Sequence, residues 1–359
     1  MNTSERYNRQ IILPEIGEVG QQKLSKAKVL VIGAGGLGAA VLPYLAAAGV
    51  GEIGIVDDDV IEISNLHRQV IYKSSAVGKY KVDESKLMIS ELNPLIKVNA
   101  ISEKLSGKNA ISLFEKYDII VDATDNIEIK YLINDACLVT DKPMVYGSIF
   151  RFQGQVSVFN YQNGPTYRCL FPDENTQSLN CEDAGVIGIS VGIIGMLQAN
   201  EVIKMILGIG EVLSGKILVY SVLNNEQQKY DFEKNTTVVM DKEAFEEKYK
   251  EVENQVEKIS VSAILNEIYN HEVLFLDVRN DDEVPKMNFK NGIQIPLMNL
   301  ENEIKKLDKN QTIYVYCQSG IRSKIAVELL QKKEFKNVKS IAGGVLAMKQ
   351  LLKEEKLSL

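Results

Sequence analysis

Val29-Leu30-Val31-Ile32-Gly33-Ala34-Gly35-Gly36-Leu37-Gly38 is the stretch that decides the fold of this chain. Four consecutive apolar residues make a strand with no polar face, so both of its sides must be covered. The glycines then form a tight turn, and small residues from Leu37 to Ala48 continue as a helix. A turn of this kind points backbone N–H groups at a phosphate, and the helix dipole adds to the attraction. Working outward, Ile53–Val56 reads as a second strand ending at Asp57, Val82–Leu92 as a helix, and Lys97–Ile101 as a strand. Ile119–Asp122 reads as another buried strand, Ile127–Val139 as a helix and Met144–Tyr146 as a strand. The expectation is an α/β fold: a Rossmann-like, doubly wound, mostly parallel sheet with right-handed crossovers. Gln155–Asn160 then alternates, and Lys216–Ser221 with Gln227–Phe232 reads as an antiparallel extension. This places one domain at 1–235, a charged linker with an exposed helix at 236–258, and a small α/β domain at 259–359. Strands Val273–Asp277, Thr312–Tyr316 and Val338–Ile341 carry that last domain.

The bulk properties narrow the function. A chain of 359 residues, 45% hydrophobic, has room for two cores. A net charge of −7 argues against a nucleic-acid surface. Four scattered cysteines make no disulfide framework and fit a reducing, cytoplasmic setting. The N-terminus has no apolar signal segment. The uncharged stretch Ala184–Asn200 runs into Glu201 and Lys204, so it reads as a buried helix and not as a membrane span. Only His67 and His271 occur, which disfavours histidine zinc sites and Ser-His or Cys-His catalysis.

The glycine turn, with Asp57 about twenty residues on to take ribose hydroxyls, is compatible with NAD or FAD. The following residues shift the reading toward a triphosphate. Ser64-Asn65-Leu66-His67-Arg68-Gln69 and Lys81 place amides and two cations just past the second strand. Asp125, in Thr124-Asp125-Asn126, follows a strand at the carboxyl edge, where one carboxylate can hold Mg²⁺ against phosphate oxygens. Arg9, in Arg6-Tyr7-Asn8-Arg9-Gln10, precedes the fold and can reach a partner subunit's site. These motifs, over residues 5 to about 232, resemble the MoeB/ThiF family of ubiquitin-activating-type adenylyltransferases for sulfur-carrier proteins. The resemblance implies that Gly36, Asp57, Ser64, Asn65, Arg68, Gln69, Lys81 and Asn126 bind ATP and that Asp125 holds Mg²⁺. It implies also that Arg9 serves the neighbouring subunit of a homodimer. The partner it implies is a ubiquitin-like carrier of the ThiS/MoaD type, whose Gly-Gly carboxylate attacks the α-phosphate of ATP.

The cysteines divide. Cys137, in Asn134-Asp135-Ala136-Cys137-Leu138, reads as a packing residue. Cys181 stands where the family can carry the activated tail, although Glu182 and Asp183 oppose a low thiol pKa; an incidental loop cysteine remains open. The family's two CxxC pairs, which make a Cys₄ zinc site, are lost: Thr166-Tyr167-Arg168-Cys169 keeps one cysteine, so no zinc is expected. Cys317 ends an apolar strand and opens Gln318-Ser319-Gly320-Ile321-Arg322-Ser323. Loop N–H groups, a helix dipole and Arg322 favour an anion on sulfur, and the loop is one residue shorter than a cysteine-phosphatase cradle. Residues 259–354 resemble a rhodanese domain, with Asp277-Val278-Arg279 and Ala342-Gly343-Gly344 as landmarks and Asn291-Gly292-Ile293-Gln294 in place of Gly-His-Ile. The expected function is adenylation of the carrier, followed by sulfur transfer from a Cys317 persulfide loaded by a donor such as a cysteine desulfurase. A carrier-binding scaffold with a docking rhodanese module, and an NAD-linked oxidoreductase, are the alternatives.

Overall fold

The computed structural model describes residues 3–172, 174, 185–250, 258–264, 267, 272–280 and 283–354. The chain divides into two compact units, 1–250 and 251–359. In the first, α1 (Thr3–Ile11) and α2 (Gly17–Lys26) lead into β1 (Lys28–Ile32), α3 (Gly36–Ala48), β2 (Glu52–Val56) and α4 (Lys81–Leu92). Next come β3 (Lys97–Ile101), α5 (Ala110–Phe114), β4 (Ile119–Asp122), α6 (Ile127–Thr140) and β5 (Met144–Phe150). The unit continues with β6 (Gln153–Phe159), α7 (Tyr167–Leu170), α8 (Gly188–Leu207), β7 (Lys216–Ser221), β8 (Glu226–Asp231) and α9 (Lys242–Lys248). The strand order is β3-β2-β1-β4-β5-β6-β7-β8, parallel from β3 through β5 and antiparallel beyond.

β1 explains its own composition. Val29 and Val31 join one core with Leu42, Leu45, Val191 and Val202, whereas Leu30 and Ile32 join a second with Phe114, Tyr131 and Ile133. Chain order reverses between β1 and β4, and that switch point is where such sheets bind ligands. The glycine turn ends β1 and Thr124-Asp125 follows β4, so the two candidate segments flank the switch point.

α8 begins at Gly188 and runs to Leu207, later at both ends than the sequence suggests. Its 20 residues are long and apolar enough to cross a membrane. It also buries Val191, Ile194 and Val202 in the sheet core, and Glu201, which pairs with Lys204 at 2.6 Å and accepts from the Leu213 N–H. A carboxylate is tolerated inside because Lys204, one helical turn on, and the loop after the helix both satisfy it.

The helix expected at 236–258 is exposed over most of its length and docked by one residue. Phe245 of α9 is fully buried, because Phe245 and Tyr249 at i and i+4 form a narrow apolar stripe that a count of charges hides. Beside it, the fully buried Asp135 of α6 accepts from Arg168 Nε and NH2 at 2.6 Å each, Tyr249 Oη at 2.7 Å and Lys248 Nζ at 3.3 Å. Burial pushes the Asp135 carboxyl up, but hydrogen bonds from Arg168 and Tyr249 outweigh it and hold the group below its usual 3.8. Asp135→Ala should therefore cost about 3 kcal/mol, because Arg168 and the Tyr249 hydroxyl lose their buried acceptor and Arg168 keeps only the more exposed Glu174. Urea unfolding measures this. A depressed carboxylate stabilises fully above its unfolded pKa, so the wild-type advantage should persist at neutral pH and vanish as the pH falls through the folded value.

In the second unit, β9 (Lys258–Ile259), α10 (Val261–Ile264), β10 (Val273–Asp277), β11 (Gly292–Gln294), α11 (Leu297–Glu303), β12 (Thr312–Tyr316), α12 (Ile321–Lys332), β13 (Val338–Ile341) and α13 (Gly344–Glu354) follow in order. The sheet is parallel throughout, in the order β11-β10-β12-β13-β9. Leu276, Ile313 and Val315 face one core, and Phe275, Tyr314 and Tyr316 the other.

Candidate active sites

In the first unit the glycines have different tasks. Gly33 has φ +96°, and a Cβ there would lie 2.7 Å from Ala123 O; one on Gly38 would lie 2.2 Å from Gly33 O. These two let the turn close on itself. A Cβ on Gly36, the glycine singled out by the sequence, would meet Val191 at 2.5 Å, so its smallness serves the contact of α3 with α8. Gly35 is different: the nearest atom to its Cβ position is Gln69 Nε2 at 3.7 Å. Backbone approach by a ligand is open at Gly35.

Past β2, the Asp57 carboxylate accepts from the N–H groups of Ala34 (2.7 Å) and Asp59 (2.9 Å), so it fixes the turn. Burial raises its pKa, against the pull of Lys81. Lys81, the first residue of α4, is 6% exposed and donates to Asp59 Oδ2 at 2.7 Å. An ammonium buried to this degree is held ready for negative charge. Asn65 is buried and its Oδ1 accepts from Glu62 N–H; Ser64 is exposed, and its hydroxyl donates to Glu62. Arg68, half-buried, donates to Ser64 O at 2.9 Å. Gln69 is buried, and its Oε1 has no partner among the described residues. An orphaned acceptor beside the open glycine is the mark of a site built for a ligand or ordered water. Tyr72 Oη closes the back of the turn by donating to Ala34 O at 2.7 Å.

At the end of β4 the structure brings in residues that the sequence reading missed. Asp122, fully buried, accepts from Lys130 Nζ at 2.7 Å and from Thr124 N–H and Oγ1. Lys130, 3% exposed, also donates to Thr124 O and Gly147 O, and Gln198 Nε2 donates to Asp122 O. A lysine in the first turn of a helix opposes the dipole, and that was the available signal that it had a buried partner. This net fixes the loop that carries Asp125, which is exposed; Asn126 caps α6 by accepting from Ile129 N–H. Arg9 is exposed on α1.

Among the described residues no three His, Cys, Asp or Glu side chains gather as a metal-ligand group. Magnesium needs only one or two carboxylates beside phosphate oxygens and water, and Asp125 at the sheet edge fits that demand. A tetrahedral zinc site does not fit. The Cys169 sulfur instead accepts from the N–H groups of Thr166 and Asn235, both at 3.3 Å, and so ties the start of α7 to the segment after β8. Cys137 is buried and burial pushes its thiol up, as a packing residue requires. Cys181 lies outside the described residues.

In the second unit Cys317 is buried at the end of β12, with Gly320 N–H donating to its sulfur at 3.1 Å and its thiol donating to Ser323 Oγ at 3.8 Å. Gly320, φ +99°, turns the loop into α12; Ser319 is exposed, and Ile321 and Arg322 begin the helix. Ala342-Gly343-Gly344 packs behind the loop, where a Cβ on Gly344 would lie 2.2 Å from Cys317 O. The N–H groups of Val345 and Leu346 donate to Cys317 O and Gln318 O. Arg279, fully buried, spans Asp277, Pro285 O and Gln318 Oε1, and so ties the Asp-Val-Arg segment to the loop. Gln294 donates to Arg279 O and Asn280 O from the segment that replaces Gly-His-Ile. Arg322 donates to both oxygens of Glu283, at 2.5 and 2.7 Å, a partner not read from the sequence.

A glycine turn at the switch point with a buried lysine, in one chain with a cysteine loop, defines a Rossmann-like nucleotide-site domain joined to a rhodanese-like domain. The chain matches the ThiF family over residues 7–239 and the rhodanese-like domain over 260–351. It belongs to the ThiF family. It is 39% identical, over 98% of its length and 94% of the relative's, to the "Probable molybdopterin-synthase adenylyltransferase" of Porphyra purpurea. It is 37% identical, over 95% of this chain and 92% of the other, to the "Probable adenylyltransferase/sulfurtransferase MoeZ" of Mycobacterium tuberculosis. The "Sulfur carrier protein adenylyltransferase" of Thermus thermophilus is 44% identical over 64% of this chain and 88% of its own.

Proposed function

We propose that this protein adenylates the C-terminal Gly-Gly of a ubiquitin-like sulfur-carrier protein with ATP, and that Cys317 as a persulfide then delivers sulfur to make the carrier's thiocarboxylate. The observation that carries the first step is the buried Lys81 beside the open Gly35 and the orphaned Gln69 Oε1. The tail carboxylate is ionised at neutral pH, so the site has no proton to remove. Its oxygen bonds to the α-phosphorus as the bond to the β-phosphate oxygen breaks and pyrophosphate leaves. Positioning and neutralisation of phosphate charge by Lys81 and Arg68 are what such a reaction asks of the protein. Asp125 is the residue we assign to Mg²⁺, which would neutralise further phosphate charge. Arg9 is assigned to the neighbouring subunit's site in a homodimer.

In the second step the Cys317 persulfide attacks the acyl carbon and AMP leaves, giving an acyl disulfide. A thiolate then breaks the S–S bond, releasing the thiocarboxylate and forming a new disulfide at Cys317. Cys181 is the internal candidate for that thiolate, and a cellular dithiol resets the pair. One chain holding both units raises the effective concentration of sulfur over water at a hydrolysable adenylate. The three described cysteines are free, which suits a reducing cytoplasm, and a cysteine desulfurase is the class of donor we assign. Carrier-dependent ATP–pyrophosphate exchange, with the carrier tail weighed by mass spectrometry, tests the reading. A chain that binds a Gly-Gly-ended carrier without exchange is a scaffold, and the proposal fails.

A further inference from the structure

We propose that Glu283 determines which sulfur donors Cys317 accepts, by occupying the guanidinium that a small dianionic donor such as thiosulfate needs. The inference rests on the reading of Cys317 as the sulfur-carrying residue. The loop from Cys317 to Ser323 contains one cation, Arg322. Both its terminal nitrogens donate to the two Glu283 oxygens, at 2.5 and 2.7 Å. This fork-to-fork pairing uses the guanidinium face that otherwise recognises an oxyanion. Glu283 is itself held in place, since its Oε1 accepts from Asn280 N–H at 2.9 Å. The second guanidinium at the loop, Arg279, is fully buried and committed to Asp277, Pro285 O and Gln318. Each of these two cations is thus matched by a carboxylate. Hydrogen bonding from Arg322, against some burial, lowers the Glu283 carboxyl to about 2, so it stays charged at working pH.

The consequence is chemical. When the Cys317 thiolate attacks the outer sulfur of thiosulfate, the S–S bond breaks and sulfite leaves with the electron pair. Two negative charges must then sit beside Glu283. A protein-bound persulfide transfers the same sulfur by the same displacement, but its leaving group is a single thiolate on a partner surface. The loop therefore disfavours the free dianion and leaves the protein-bound donor.

The test uses the full chain with thiosulfate as donor and cyanide as acceptor. Glu283→Gln should raise kcat/KM for thiosulfate about tenfold or more, because a like charge is removed from the approach. That gain should shrink as ionic strength rises. Glu283→Ala should behave as Gln does, so either variant suffices if the other fails to fold. Glu283→Asp keeps the charge and should stay near the wild-type rate. No gain in the Gln and Ala variants, or an equal gain in the Asp variant, overturns the proposal. Loading of Cys317 by a cysteine desulfurase, read as a one-sulfur mass increase, should be the same in wild type and variants; a loss of loading in the Gln and Ala variants likewise overturns it. Failure of that loading in the wild-type chain would count against the proposed function alone, since the thiosulfate comparison stands independently.

Discussion

Replacing Lys81 by Met should lower carrier-dependent ATP–pyrophosphate exchange by about 10²–10³-fold, the range seen when one preorganised charge-stabilising group is removed. The expectation follows from burial. Lys81 is 6% exposed, so its ammonium acts across a medium less polar than water, where a charge interaction is several times stronger. Methionine keeps the length of the apolar stem and its packing, so the fold should hold while the charge goes. Asp57 lies within the field of Lys81, which pulls its carboxyl down against burial. In the variant the Asp57 pKa should therefore rise further, and the low-pH limb of the exchange profile should move upward. The division between kcat and KM is informative. A fall in kcat assigns Lys81 to charge that develops at the α-phosphorus, whereas a rise in KM alone assigns it to ground-state ATP binding. Exchange within twofold of wild type would leave Lys81 as a structural partner of Asp59 only.

The positions of Lys81 and Asp57 show how far the sequence can be read. An unbroken apolar strand, a glycine turn and an acid at the end of the next strand specify local geometry, and the doubly wound sheet follows from their repetition. The glycines were legible as a turn but not as individuals: only the approach of Val191 separates Gly36, which packs, from Gly35, which stays open. Contacts across the fold were the illegible part. Asp122 with Lys130, and Asp135 with Arg168, Lys248 and Tyr249, join residues whose pairing depends on which helices meet. The strands β9 and β11, of two and three residues, are too short for any periodicity to show. Glu283 escaped for a further reason: the last acid of the run Asp281-Asp282-Glu283 reads as a solvated residue until the partner's position is known.

Replacing Cys317 by Ala should reduce thiocarboxylate formation by at least about a thousandfold, as expected when a covalent nucleophile is removed, while ATP–pyrophosphate exchange continues. The loop should survive the change. Its backbone is held by Val345 N–H on Cys317 O, Leu346 N–H on Gln318 O and Arg279 on the Gln318 side chain, none of which involves the sulfur. What is lost is the atom at which the Gly320 N–H is aimed, 3.1 Å away, and with it the place where an anionic sulfur is stabilised. A variant that adenylates the carrier yet passes no sulfur to it places Cys317 after adenylation and before release. If thiocarboxylate still accumulates with a persulfide donor, sulfur reaches the adenylate by another route and the rhodanese-like unit is a docking module. The companion variant Cys181→Ala separates the remaining possibilities. If Cys181 supplies the releasing thiolate, the carrier should accumulate in disulfide linkage to Cys317, visible as a conjugate that a reductant dissolves into thiocarboxylate and free chain. If release proceeds at the wild-type rate, an external thiol performs it, and Cys181 has no part in the chemistry.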